Sequence, residues 1–255
     1  MCLVCTTPIN DLISLTTLSC ISCHDLVTIP DALVNLELLK CVNCSKLTSI
    51  PGSLVNLKEL YCNTCPLLPC VPDTLCSLIV LRLEYCPLVE TVPNTLVNLT
   101  QLDFRNCPLV NSVPNTLIYL KGLSLSTCLN LTDIPSQLVN LIFLFCYNCP
   151  KLNSIPATLI NLENLTCHHN PCLTSIPASV VRLKHFFWYN CPYLYFPFKV
   201  KQKFSIERTN KISIFVSKLK RLRRRIQCNN MAKYLTNENK EIPRDLNTII
   251  SSYLF

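Results

Sequence analysis

A period of 21 residues runs through most of the chain and constrains its fold more than any other feature. A proline recurs at positions 30, 51, 72, 93, 114, 135, 156 and 177, each time after Ile or Val. Leucine recurs with the same step from Leu18 to Leu165, and cysteine recurs from Cys23 to Cys149. Self-similarity at a fixed period of this length predicts a solenoid, in which each unit buries its apolar face only against its neighbours.

One unit reads L-x-x-L-x-(C/L)-x-x-C-x-x-L-x-x-(I/V)-P-x-x-L-x-x. Its landmarks in the second coil are Leu36, Leu39, Cys41, Cys44, Leu47, Ile50, Pro51 and Leu54. This pattern resembles the leucine-rich repeat, with the spacing after the cysteine that is typical of cysteine-containing members. The resemblance implies an α/β-type repeat solenoid: a horseshoe with a parallel β-sheet on its concave side, an irregular or short-helical convex side and a helical C-terminal cap.

The residues support this expectation without the family name. Leu18 and Cys20 alternate with mostly polar neighbours, and their equivalents in later coils do the same, which predicts one short strand with one buried side in every unit. Proline has a fixed φ and no N–H group, so the "IP" segment suits a return that is not part of a sheet.

Charge divides the chain into two parts. Residues 1–198 contain 9 Lys/Arg and 11 Asp/Glu, a net charge of −2, whereas residues 199–255 contain 14 and 4, a net charge of +10. The period also fails here, because the leucine expected at position 201 is Lys201. We predict a solenoid of about nine coils over 1–198 and a basic, mainly helical C-terminal segment over 199–255.

The role of the cysteines is open at this point. The chain has 19 of them, and pairs such as Cys41 and Cys44 have the C-x-x-C spacing that zinc sites use. In other coils the first member is replaced by Leu83 or Phe104, as expected of a small core residue. The second is replaced by Asn170, which shares with cysteine a donor for a backbone carbonyl. We favour a buried ladder without metal or cofactor, and metal or redox chemistry is the alternative.

Neither export nor membrane insertion is indicated. No window reaches the roughly 18 uninterrupted apolar residues of a transmembrane helix. The first residues lack a basic region followed by an apolar run, so we expect no secretory signal. An odd number of cysteines then favours free thiols in a reducing compartment. We expect a cytoplasmic protein, with the nucleus as a second location.

The outward-facing strand positions differ from coil to coil and are therefore candidates for recognition. The predicted partner-binding residues are Tyr61, Arg82, Glu84, Asp103, Arg105, Phe143, Phe145, Tyr147, His168, Phe187 and Tyr189. Exposed rings flanked by charges are typical of protein-binding hot spots. The alternative is that residues 199–255 cover the aromatic side chains. Trp188 occupies an inward position and is predicted to close the end of the core.

Catalysis is not expected. The four histidines fall at unrelated positions of the repeat, and with Gly52 and Gly122 as its two glycines the chain has no glycine-rich phosphate loop. We therefore predict a non-enzymatic protein that has no catalytic residues.

The basic segment has helical spacing of apolar residues from Ile212 to Ile226. Its predicted cationic patch consists of Lys218, Lys220, Arg221, Arg223, Arg224 and Arg225. Such a patch can contact nucleic-acid phosphates or an anionic lipid surface, and it also fits a nuclear-import signal. The alternative is the solvated face of a capping helix.

The last residues resemble the opening helix of the F-box, which reads roughly L-P-x-(D/E)-L-x-x-x-I-x-x-(Y/F)-L. The matching residues are Ile242, Pro243, Asp245, Leu246, Ile250, Tyr253 and Leu254. The resemblance implies a Skp-type adaptor and a cullin ubiquitin ligase as partners. Separately, the low glycine content, the use of Asn, Ile and Tyr and the cysteine-rich repeats resemble a leucine-rich repeat protein of a giant virus or a protist. The alternative is an ordinary amphipathic helix with Pro243 in its first turn.

Overall fold

The computed structural model describes residues 3–197 and residue 200, all within Met1–Arg208, the first of two units in the chain. Nine consecutive strands form one parallel sheet. They are β1 (Thr17–Ile21), β2 (Leu38–Val42), β3 (Glu59–Asn63), β4 (Val80–Glu84), β5 (Gln101–Asp103), β6 (Gly122–Ser124), β7 (Phe143–Phe145), β8 (Asn164–Thr166) and β9 (His185–Phe187). A short helix α1 (Leu3–Thr6) and a 3₁₀ helix (Ile9–Asp11) precede the sheet.

The sequence period is the pitch of this solenoid. Leu18 lies opposite Leu39 and Cys20 opposite Cys41, and the other strand pairs keep the same offset. Nine strands at a spacing of about 4.8 Å extend for ~38 Å along the solenoid axis. The predicted parallel sheet is confirmed.

Burial alternates along each strand as the sequence predicts. In β1 the inward Leu18 and Cys20 are buried, and the three alternating outward residues are exposed. The second inward column holds Cys62, Leu83 and Phe104 in successive coils, and all three are fully buried. Leucines from the return segments complete one continuous core. Burial of each leucine contributes about 1.5–3 kcal/mol to folding, so the regular columns account for most of the stability.

The return side of the described coils is irregular and contains no helix, so of the two predicted forms only the irregular one is present. Instead, two rows of side chains donate hydrogen bonds to carbonyls 22 residues earlier in the chain. The hydroxyl row consists of Ser53, Thr74, Thr95, Thr116, Thr158 and Ser179. The asparagine row consists of Asn35, Asn56, Asn98, Asn140 and Asn161. These rows join the coils where the sheet does not.

One residue in every coil has left-handed backbone geometry. It directly precedes the ladder cysteine or its substitute, and its φ lies between 50 and 60°. The column consists of Ser22, Asn43, Thr64, Tyr85, Asn106, Thr127, Asn148, His169 and Asn190. Its N–H groups still bond to the next coil, as from Asn43 N to Asn63 O at 2.8 Å. The chain turns inward here, and asparagine accepts this conformation better than threonine does.

Three aromatic rings close the C-terminal end of the described core. Trp188 is partly buried and stacks on Phe186 with ring centroids 4.8 Å apart, and Phe196 meets Trp188 edge-on at 5.3 Å. The structure therefore places Trp188 at the end of the core, as predicted. The predicted helical cap and the whole segment 199–255 lie outside the described residues, apart from the buried Val200.

Candidate functional site

The predicted partner-binding residues all lie on the solvent face of the sheet or directly after its strands, and they form two groups. The charged cluster lies on β3–β5 and consists of Tyr61, Arg82, Glu84, Asp103 and Arg105. The aromatic cluster lies on or after β7–β9 and consists of Phe143, Phe145, Tyr147, His168, Phe187 and Tyr189. Strand β6 separates the two groups.

Ion pairs join neighbouring coils in the charged cluster. Arg105 pairs with Glu84 on the preceding coil, and its Nη2 lies 2.9 Å from Asp103 Oδ2 on its own coil. The two carboxylates are more buried than the guanidinium group. Arg105 is therefore neutralised and held in place by two acids.

Tyr61 lies between two cations. The Nζ atom of Lys40 is 5.3 Å from the ring centroid, and the Cζ atom of Arg82 is 5.5 Å from it. The hydroxyl of Tyr61 donates a 2.7 Å hydrogen bond to Glu59. Burial, assisted by this bond, raises the pKa of Tyr61, so the ring stays neutral at physiological pH and can hold both cations by cation–π attraction.

The aromatic cluster exposes a large apolar area. Phe145 and Tyr147 are each 43% exposed, and Tyr189 is 67% exposed. His169 links the cluster, because its ring meets Tyr147 at 5.2 Å and Tyr189 at 5.5 Å between centroids. The Nδ1 atom of His168 is buried and has no hydrogen-bond partner within the described residues. The alternative, that residues 199–255 cover this cluster, concerns residues outside the described part of the chain.

A hollow lies between the two clusters, and the sequence interpretation missed it. It has a volume of about 530 Å³, and its floor is formed by Gly122, Ser124 and Ser126 on and after β6. Arg82 and Arg105 line one side, and Phe143 and Phe145 line the other. The signal was present in the sequence, because the outward positions 122, 124 and 126 hold only glycine and serine.

The cysteines form a ladder inside the solenoid. The Sγ–H of Cys44 donates to the carbonyl of Cys20 at 3.4 Å, and Cys65 donates to Cys41 at the same distance. The equivalent bond recurs at Cys86, Cys107, Cys128, Cys149 and Cys191. Burial raises the pKa of Cys107 to about 11, so its thiol keeps the donated proton at neutral pH. The predicted ladder is confirmed by these bonds.

Asn170 is the rung at which cysteine is replaced. Its Nδ2 donates to the carbonyl of Cys146, which is the bond that cysteine makes elsewhere. Its Oδ1 additionally accepts a 2.7 Å hydrogen bond from the Cys149 N–H. Asn170 is fully buried and makes both bonds, so the substitution keeps the ladder continuous.

Within residues 3–197 and 200, no group of three or more His, Cys, Asp or Glu side chains is placed to hold a metal ion. None of the cysteines in this part of the chain is in a disulfide bond. No helix in the same residues has the length and apolar character needed to cross a bilayer. The basic patch (218–225) and the F-box-like residues (242–254) lie outside the described residues.

Comparison with known proteins identifies the architecture. The Leucine Rich Repeat family model matches residues 98–120. The leucine-rich repeat domain of the type III effector XopL is 25% identical, with a TM-score of 0.58, over 73% of this chain and 70% of that one. YopM of Yersinia pestis, a leucine-rich effector, is 22% identical over 68% of this chain and 60% of that one, with a TM-score of 0.48.

The functional domain of InlJ from Listeria monocytogenes, which includes a cysteine ladder, is 18% identical over 72% of this chain and 55% of that one, with a TM-score of 0.36. No curated protein matches the sequence. Leucine-rich repeat proteins are typically non-enzymatic scaffolds for protein–protein interaction. The described residues of this chain have the leucine-rich repeat fold, with cysteines in two of its inward columns.

Proposed function

We propose that the protein is a non-enzymatic scaffold that binds a protein partner on the solvent face of its sheet. The observation that carries this proposal is the coincidence of the charged and aromatic clusters on one face, above inward columns that hardly vary. The core needs none of these outward rings, and exposed Phe and Tyr side chains favour contact with another protein over contact with water.

The rigidity of this face supports binding. The strands of a continuous hydrogen-bonded sheet hold the side chains at fixed spacing, so little backbone conformational entropy is lost when a partner docks.

The test is affinity capture by the full chain and by the double variant Phe145→Ala/Tyr147→Ala. Both side chains are exposed, so we expect the variant to fold normally and to lose its captured partner. The matched control is Ile118→Ala/Tyr119→Ala, which removes a neighbouring exposed pair from a turn outside the sheet. Equal capture by a folded Phe145→Ala/Tyr147→Ala variant contradicts the proposal.

A more specific form of the proposal makes the protein a substrate adaptor of a cullin ubiquitin ligase. It is supported by the F-box-like residues Ile242 to Leu254, which lie outside the described residues. A chain ending at Glu241 should lose a Skp-type adaptor and cullin but keep partners bound to the sheet. Identical capture by both chains contradicts the adaptor role alone.

The second candidate function is binding of nucleic acid or an anionic membrane surface through residues 199–225. The net charge of +10 carried by residues 199–255 favours it. Neutralising Arg221, Arg223, Arg224 and Arg225 should abolish binding to duplex DNA or to phosphatidylserine vesicles, and wild-type binding should weaken steeply with salt. Salt-independent binding contradicts this function.

A further inference from the structure

The hollow over β6 is a furrow that runs along the strand direction. Its floor consists of Gly122, Ser124 and Ser126, whereas the neighbouring strands raise longer side chains on both sides. The strands that carry its walls are two sheet spacings apart, about 10 Å, which admits one extended peptide segment or a large side chain. The furrow is one coil wide.

The fold does not require the small residues of the floor. Gly122 has ordinary negative φ, and an added Cβ atom would lie 3.9 Å from Gln101 Cγ, a normal van der Waals contact. The serine side chains are partly exposed and lie on the solvent side of the strand. Since neither backbone geometry nor packing demands small residues here, the open volume is a property of the surface.

The two walls have different chemistry. Arg105 is compensated by Asp103 and Glu84, but Arg82 and Lys121 have no carboxylate within 4 Å among the described residues. The lining therefore carries three cations against one acid, Asp103. The opposite wall presents Phe143 and Phe145, which are 42% and 43% exposed.

We propose that this furrow binds an acidic segment of a partner protein that also carries an apolar or aromatic residue. Its carboxylates lie against Arg82 and Lys121, and its apolar side chain packs on Phe143 and Phe145. Charge complementarity selects the sign of the ligand, and ring contact supplies affinity. A nucleic acid fits this site less well, because residues 1–198 carry a net charge of −2 and Asp103 and Glu84 stand beside the furrow.

This inference rests on the proposed binding function and adds the chemistry of the ligand. The probe is a phage-displayed library of random heptapeptides, selected on the immobilised full-length protein. We expect enrichment of sequences that combine Asp or Glu with Phe, Tyr, Trp or Leu. Enrichment of basic or uncharged sequences, or no enrichment, overturns the inference.

A selected peptide is then titrated against three variants of the full chain. Ser124→Phe fills the furrow, and Arg82→Gln/Lys121→Gln removes its uncompensated charge; each should weaken binding at least about tenfold, or 1.4 kcal/mol. The matched control is Ser19→Phe, which adds the same ring at the equivalent position of β1 and should leave affinity unchanged. Melting temperatures of all three confirm folding.

Three outcomes distinguish the proposals. Unchanged peptide binding in Ser124→Phe overturns the furrow site. If partner capture nevertheless depends on Phe145 and Tyr147, the binding function stands and the contact lies on the aromatic cluster outside the furrow. The third outcome is that the wild-type protein binds single-stranded oligo(dT) and the Arg82→Gln/Lys121→Gln variant does not. In that case the site recognises nucleic acid, and the inference of a protein ligand is wrong.

Discussion

The inward and outward positions of the nine strands follow opposite rules. Inward, leucine and cysteine repeat from coil to coil with almost no accessible surface. Outward, the same strands carry Lys40, Tyr61, Arg82, Asp103, Ser124 and Phe145 at one equivalent position in successive coils. Both sets share one backbone and one register, so the difference arises from the side chains alone. Stability is concentrated in the repeated set, and recognition is available only to the unrepeated one.

The largest expected effect comes from an inward leucine in the middle of the sheet. Leu123→Ala on β6 removes a 1% exposed side chain that is enclosed by coils on both sides, and it should cost about 2–5 kcal/mol of unfolding free energy. The adjacent outward change Ser124→Ala should stay within about 0.5 kcal/mol. Urea denaturation measures the unfolding free energy of both variants. Comparable losses would contradict the statement that stability is concentrated at the inward positions.

Asn170 provides a second test of the difference between inward and outward positions, because it is a polar residue in an inward column. Asn170→Ala leaves the Cys149 N–H and the Cys146 carbonyl buried without partners, at about 2–4 kcal/mol for the two groups. Asn170→Cys restores the carbonyl bond and should recover part of that loss. The control is Asn161→Ala, whose amide bonds Val139 O on the exposed side and should cost less. Equal losses in all three variants would argue against a structural role for the ladder.

The features that could be predicted from the sequence are those that depend on the 21-residue period. The period, the parallel sheet and the buried cysteine ladder were predictable because each depends on residues that recur with a fixed step. The hydroxyl and asparagine rows also recur, as at Ser53 and Asn56, but their partners are backbone carbonyls that the sequence does not mark. The left-handed column was missed because Thr64 and Tyr85 are not residues that signal positive φ.

The furrow over β6 was missed for a different reason. It exists because Gly122 and Ser124 have small side chains. Small outward residues form a cavity only when longer side chains of the two neighbouring coils stand beside them, and the sequence does not show that arrangement. Pairwise contacts such as Arg105 with Glu84 likewise depend on rotamers, which periodicity does not determine.

The buried thiol of Cys107 should also make the stability of the inward set sensitive to alkaline pH. Burial raises the pKa of Cys107 from 9.0 to about 11, so the unfolded chain loses this proton first as pH rises. The stability that depends on the protonated thiol is complete below pH 9 and is lost between pH 9 and 11, by about 1.4 kcal/mol at pH 10. Cys107→Val should reduce the loss measured between pH 7.5 and pH 10.

Leu83→Val supplies the control, because it changes a buried inward side chain that carries no thiol. It should leave the difference in unfolding free energy between pH 7.5 and pH 10 unchanged. Because each variant is compared with itself at two pH values, any constant packing effect of valine cancels. An equal reduction by both substitutions would mean that the alkaline loss does not come from the Cys107 thiol.

The smallest expected effect lies at the border between the sets, in the left-handed column. Thr64 is exposed and has a φ of 58°, and its β-branched side chain crowds the backbone in this conformation. Thr64→Asn should therefore stabilise the protein by up to about 1 kcal/mol, and Asn43→Thr one coil earlier should destabilise it by a similar amount. Both sites keep the same hydrogen bond from their N–H to the next coil, so the sign of the change reports backbone strain alone. If Thr64→Asn lowers the urea midpoint, a contact of the threonine side chain outweighs the backbone strain. Residues of this column would then be determined by individual contacts, as at the unrepeated outward positions.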